Sequence, residues 1–208
     1  VSHHDHALLD FRLYLPREWT RNEQRRQECH VPPDVRYQTR QAQCLEMLDE
    51  WRDQVPHGWV TGDDELGRHT WFREELRKRG ERYVLGVPCT TTMRDLEAPS
   101  PKYSGRGRRP KAPWQSVTAW RQALPGDTWT HLTVRDGEKG PVEIEMLRRR
   151  VQTRIARKRT GPEEWLVVTR RPRTEDRTWE PRASRDGTDE DERYCYQYYL
   201  TPTAGGAV

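Results

Sequence analysis

Between Arg82 and Pro88 the chain runs Tyr-Val-Leu-Gly-Val with no charged side chain, and this stretch narrows the possible folds more than any other. A short strand of continuous apolar character belongs in a sheet covered on both faces, because a half-exposed strand would alternate. The residues leading into it support that environment. Phe72 and Leu76 share one face of a predicted helix that Gly80 closes, and before it Trp59-Val-Thr61 reads as a second short strand. Further upstream, Ala42, Leu45, Leu48, Trp51 and Val55 fall at three- and four-residue spacings, which predicts an amphipathic helix from Gln38 to Val55 with Trp51 as a core anchor and Pro56 as its stop. Leu9, Phe11, Leu13 and Leu15 alternate with Asp10, Arg12 and Tyr14, predicting a strand that Pro16 ends. Pro16 to Pro33 forms a solvated connection with a short helix around Arg21 to Glu28. The order from Leu9 to Pro88 is therefore strand, helix, strand, helix, strand, an α/β arrangement with a parallel sheet and right-handed crossovers.

After Pro88 the character changes. Glu97 to Pro113 holds the cluster Gly105-Arg-Gly-Arg-Arg-Pro-Lys111 and no core-forming period, so a flexible basic loop is expected. Strand signals follow at Thr130 to Arg135, Val142 to Ile155 and Trp165 to Thr169, the first two joined by a hairpin turn at Asp136-Gly-Glu-Lys-Gly140. Arg171 to Arg193 is dense in charge, ends in Asp189-Glu-Asp-Glu192 and reads as a second loop without a core. Tyr194-Cys-Tyr-Gln-Tyr-Tyr-Leu200 then returns as an aromatic strand. Residues 1–88 are expected to be a core portion, 89–193 a β-rich basic insertion, and 194–208 a return strand and truncated end.

Charge sharpens this division. Arg106 to Arg173 carries 17 Lys and Arg against 7 Asp and Glu, whereas the rest of the chain holds 20 against 26. A basic block beside an acidic remainder points to an anionic partner such as nucleic acid. Nine Trp and eight Tyr argue against disorder. No stretch approaches the roughly 18 apolar residues of a membrane helix, and no signal peptide opens the chain, so a soluble intracellular protein is expected. Cys29, Cys44, Cys89 and Cys195 show neither zinc spacing nor CxxC, and read as buried thiols in a reducing compartment.

Two stretches could carry chemistry. Trp59-Val-Thr-Gly-Asp-Asp-Glu-Leu-Gly67 runs a strand into three carboxylates, at the sheet edge where open α/β folds hold ligands. Asp63, Asp64 and Glu65 suit a hard divalent cation, and equally suit the positive end of the following helix; Asp63, nearest the strand, is the best single metal ligand. Arg106, Arg108, Arg109 and Lys111, with Arg148, Arg149, Arg150 and Arg154, can contact phosphates or simply form a solvated face. Trp114, Trp120 and Trp129 could stack on unpaired bases, but as core of an insertion poor in other large apolar residues they fit better. Ser2-His-His-Asp-His6 reads as a polar turn before the first strand, with a metal site as the alternative. No GxSxG, GxxxxGK[ST] or HExxH occurs.

Ala7-Leu-Leu-Asp-Phe-Arg-Leu-Tyr-Leu-Pro-Arg-Glu-Trp19, the Trp59 to Gly67 stretch, Phe72-Arg-Glu-Glu-Leu76 and Tyr83-Val-Leu-Gly-Val-Pro88, together with the closing Tyr196-Gln-Tyr-Tyr-Leu-Thr201, resemble the middle of an insertion-sequence transposase of the DDE superfamily endonuclease type. The resemblance implies an incomplete RNase H-like core, a mixed sheet with flanking helices, interrupted by a β-rich insertion. It implies cleavage and strand transfer of DNA by two aspartates and a glutamate holding Mg²⁺ or Mn²⁺. Asp63 matches the second aspartate, within a Gly-Asp-x-x-x-Gly pattern where Leu66 replaces a commoner Tyr, which leaves Asp64 and Glu65 to support the helix start. The first aspartate is expected upstream of Val1 and the glutamate beyond Thr201, so this stretch by itself is expected not to cut DNA. The implied partners are DNA, as transposon ends and target, with room for a homodimer and no membrane; the implied location is cytoplasmic and nucleoid-associated, of prokaryotic type. The alternative is a non-catalytic nucleic-acid-binding remnant in which only the basic insertion keeps a role.

Overall fold

The computed structural model describes residues 7–125, 128–137, 140–155, 159–172 and 194–203. The Ser2 to His6 turn, residues 173–193 of the second charged loop, and Arg157 and Lys158 lie outside the described residues. The chain divides into two compact units, Val1–Gly58 and Trp59–Val208.

In the first unit, α1 (Arg17–Thr20) begins straight after Pro16, and α2 (Glu23–Glu28) is capped by Asn22, whose side chain accepts from the Arg25 amide at 2.9 Å. The helix predicted from Gln38 to Val55 is α3 (Arg40–Trp51), and Thr39 caps it through Oγ1 to the Ala42 amide at 3.2 Å. Leu45 is buried, while Trp51 is half-buried and donates from Nε1 to Asp10 Oδ2 at 3.1 Å. The predicted strand from Leu9 to Leu15 does not form. That segment is tied to α3 through Asp10, Arg12 with Glu50, and the Leu13 carbonyl, which accepts from Gln43 Nε2 at 2.9 Å. Leu15 is buried but Phe11 is 79% exposed. Alternation reports the shape a strand would need; it does not supply the neighbouring strand whose ladder makes one.

The second unit holds an eight-stranded sheet in the order β1 (Val60–Gly62), β2 (Tyr83–Gly86), β8 (Tyr194–Pro202), β7 (Thr160–Pro172), β6 (Gly140–Arg154), β3 (Thr92–Asp95), β4 (Gln115–Ser116), with β5 (Thr130–Gly137) paired to β6. Strands β1 and β2 are parallel, with Val60 opposite Tyr83 and Gly62 opposite Leu85, and the connection between them is α4 (Asp64–Gly67) and α5 (Thr70–Lys78). Every other pairing is antiparallel. The sheet is thus mixed, as the resemblance implied: of the parallel arrangement expected from the strand and helix order only the β1–β2 pair forms, because the Leu9 segment contributes no strand, and the strands after Pro88 join the sheet antiparallel.

Strands of the basic region belong to the same sheet as β1 and β2. The hairpin β5–β6 closes as far as Gly137 opposite Gly140, and β6 and β7 pair from Glu145–Arg170 to Arg154–Thr160. Their alternation sends Leu147 and Val151 of β6, Leu166 and Val168 of β7, Leu200 of β8 and Met93 of β3 into one core, which α6 (Val117–Gln122) covers with Val117 and Trp120. Burying each such side chain contributes about 1.5–3 kcal/mol. Trp120 is core, as expected, and its Nε1 donates to buried Asp95 Oδ2 at 2.9 Å. Trp129 packs at the edge of that core beside Tyr196, whereas Trp114 is only half-buried.

Candidate functional site

The acidic turn is built by close backbone packing. A Cβ at Gly67 would lie 1.9 Å from the Gly86 carbonyl oxygen, and one at Gly86 would lie 3.0 Å from the Asp64 amide nitrogen. Only two glycines let α4 press its backbone onto β2 at this point. At Gly62 a Cβ would meet Leu66 Cδ1 at 2.8 Å, a side-chain end that can give way, so of the Gly-Asp-x-x-x-Gly spacing the packing requires the second glycine more strictly than the first.

Asp63 is the cap of α4. Its Oδ1 accepts from the Glu65 amide at 3.1 Å, and its Oδ2 has no protein partner among the described residues. The side chain is exposed. Asp64, also exposed, pairs with Arg68 at 3.0 Å, one turn along the chain. Thus the helix-start role expected of Asp64 and Glu65 falls in good part to Asp63 itself. Among the described residues no three His, Cys, Asp or Glu side chains come together as a metal site. The donor chemistry of Asp63 nevertheless fits a divalent cation as a single ligand, since one hard oxygen remains free and such ions are often held by one or two carboxylates plus substrate phosphate.

Beneath this turn lies a buried network that sequence reasoning missed. Arg73 of α5 is 1% exposed and Glu164 of β7 0%. Arg73 Nε donates to Glu164 Oε1 at 2.9 Å, Nη2 to Thr153 Oγ1 at 3.0 Å, and Nη1 to the Gly67 carbonyl. Tyr83 donates its hydroxyl to Glu164 Oε1 at 2.6 Å, and burial pushes the Tyr83 pKa well above its ordinary value, reinforced by the Glu164 charge. A buried ion pair of this kind holds because nearly every lone pair and proton is used. It joins α4, α5, β2, β6 and β7 at one place. The sequence carried a signal: Glu164 falls in phase with Leu166 and Val168 on the core face of its strand.

The predicted phosphate-binding residues separate into two groups. Arg108, Arg109, Lys111 and Arg154 line one groove of about 640 Å³, joined there by Arg94, Arg159 and Trp114. Arg94 stands opposite Gln152 in the β3–β6 register, and its guanidinium lies over the Trp114 ring at 4.3 Å. Sequence reasoning missed Arg94, because only this non-local pairing brings it beside Arg154. Arg106 is exposed on the basic loop but does not line the groove. Arg149 and Arg150 lie by Glu97, at 3.2 and 3.5 Å, and Arg148 lies over the Trp165 ring at 4.9 Å. The cysteines are all free; Cys195 alone is buried, Cys44 and Cys89 are partly so, and Cys29, at the end of a helix with no buried residues, is exposed. No described helix is long and apolar enough to cross a membrane.

The second unit thus carries an acidic turn at the end of a parallel strand and, separately, a basic groove. The family model of the DDE superfamily endonucleases matches residues 1–141 of the 208, and the chain belongs to that family. Membership carries transposase-like nuclease function and a DNA substrate as the family's general properties, and members generally use divalent metals. No curated protein gives a significant match to the chain.

Proposed function

We propose that the complete protein is a DNA transposase that performs metal-dependent phosphodiester cleavage and strand transfer, with Asp63 as one metal ligand and the arginines of the basic region on the DNA backbone. The observation that carries this reading is the free Oδ2 of Asp63, held at the end of β1 by glycine packing, inside the span that matches an endonuclease family. A bound Mg²⁺ or Mn²⁺ would supply Lewis-acid activation of the attacking oxygen. The chain's own share is to leave one Asp63 carboxylate oxygen out of the capping bond while Arg68 occupies the neighbouring Asp64.

The test uses a version of the protein that cleaves DNA. Asp63→Asn keeps an oxygen able to cap α4 but removes the ionic ligand, so cleavage should fall by at least about 10³-fold while DNA affinity stays within about twofold. Undiminished cleavage would sink the assignment. DNA binding without cleavage by the complete protein would instead favour the non-catalytic nucleic-acid-binding reading.

A further inference from the structure

We propose that the basic groove and a threonine-lined cavity beside it form one track for the phosphodiester backbone of a nucleic-acid strand, with Arg154 common to both. The inference rests on the nucleic-acid reading above and adds the path the strand takes. The second cavity has a volume of about 280 Å³ and is walled by Thr70, Thr91, Thr92 and Thr153 together with Arg68, Arg73 and Arg154. Apart from Ile155 its described lining is hydroxyl- and guanidinium-bearing side chains, with no carboxylate, a chemistry suited to phosphate oxygens. Arg73 is committed to Glu164 and Arg68 to Asp64, whereas Arg154 is exposed and has no carboxylate partner among the described residues. Through Arg68 the cavity adjoins α4, the helix that Asp63 caps.

The groove repeats the pattern on a larger scale. Its described lining contains six cations and no Asp or Glu. Among the described residues Arg159 alone of the six reaches a carboxylate, Glu74 at 3.7 Å, in an exposed pair. Arg94 Nε is buried without a hydrogen-bond partner among the described residues while the guanidinium lies over the Trp114 ring at the groove wall. Like charges at this density repel one another, and a polyanion relieves the repulsion while releasing its own counterions. Arg149 and Arg150 already share Glu97. The groove, rather than the Arg148 to Arg150 run, therefore dominates the salt dependence of binding.

The test is fluorescence anisotropy of the 208-residue chain with a labelled oligonucleotide of about 20 nucleotides, single-stranded and as a duplex, over roughly 50 to 200 mM salt. Arg154→Glu should weaken binding about tenfold or more and lower the salt slope by about one to two. Arg154→Lys should keep most of the affinity, and Thr92→Val should lose about two- to fivefold with the slope unchanged. Loss on both oligonucleotides supports a track that reads backbone alone; loss on one of them supports the track and identifies which form it takes. Lys78→Glu, an exposed charge reversal on α5 outside both cavities, is the control, and circular dichroism verifies that each variant is folded. If Arg154→Glu and Thr92→Val bind like the control while Arg148→Gln weakens binding, the track is overturned and the nucleic-acid reading survives. If the unmodified chain binds neither oligonucleotide at low salt, that reading falls as well.

Discussion

His30 and Gly80 solve the same problem with different residues. Each follows a helix in the left-handed region, with φ of 52° and 73°, and each is flanked by the same pair of bonds: His30 N to Gln27 O and Val31 N to Arg26 O after α2, Gly80 N to Arg77 O and Glu81 N to Leu76 O after α5. Gly80 was legible in the sequence as a helix stop because glycine adopts this conformation freely. His30 was not, since the conformation costs a side-chain-bearing residue about 1–2 kcal/mol and histidine carries no such signal. His30→Gly should therefore stabilise the chain by about 0.5–1 kcal/mol in urea unfolding, part of the relief being offset by glycine's freedom in the unfolded chain. Gly67→Ala should do the reverse. Its Cβ meets backbone and not a movable side chain, so a loss of about 2–4 kcal/mol is expected, while Gly58→Ala, with open space around it, should change stability by less than about 1 kcal/mol.

At the level of elements, the Arg73–Glu164 pair fastens α5 to the long strands. Glu164→Gln would leave a buried guanidinium without its counter-charge and should cost about 3–5 kcal/mol, read as a lowered denaturant midpoint with an unchanged slope. Tyr83 adds a dependence on pH. Its folded pKa lies above its unfolded one, so the stability linked to it is fully present below the ordinary tyrosine range near about 10 and is lost as pH rises beyond that. Alkaline unfolding of the chain should consequently be less steep in Tyr83→Phe, followed by tryptophan fluorescence. The helices α3 and α5 and the strands β1 and β2 were legible because periodicity and capping are local. The Leu9 to Leu15 segment misled because its alternation carried no information about a partner. The network around Glu164 was hidden for the opposite reason: its members come from positions up to 91 residues apart, and only the register unites them.

Across the whole molecule, charge and exposure divide the chain more plainly than secondary structure does. Residues 99–111 are exposed throughout and carry three tryptic sites of the basic cluster, after Arg106, Arg108 and Lys111, so mild trypsin treatment should nick there early, alongside Arg52 before the exposed stretch at Asp53 and Gln54. An oligonucleotide seated in the groove should slow cleavage after Arg108 and Lys111 without protecting Arg52, a comparison readable by mass spectrometry. The acidic turn and the basic block could be named from sequence because each is contiguous. Their division into a groove, an Arg148–Trp165 stack and a Glu97 cluster could not, since the neighbours that claim these arginines come from β3, β7 and the loop after β3, and only the sheet register brings them together.

The pairing of β2 with β8 sets a clock on synthesis. Leu85 meets Leu200, so β2 emerges on the order of a hundred residues before the strand that will cover its second edge, an interval of roughly ten seconds at ordinary translation rates. Until then Tyr83-Val-Leu offers an uncovered apolar edge to whatever is nearby, and the chain's yield in a cell depends on what shields that edge while the ribosome finishes.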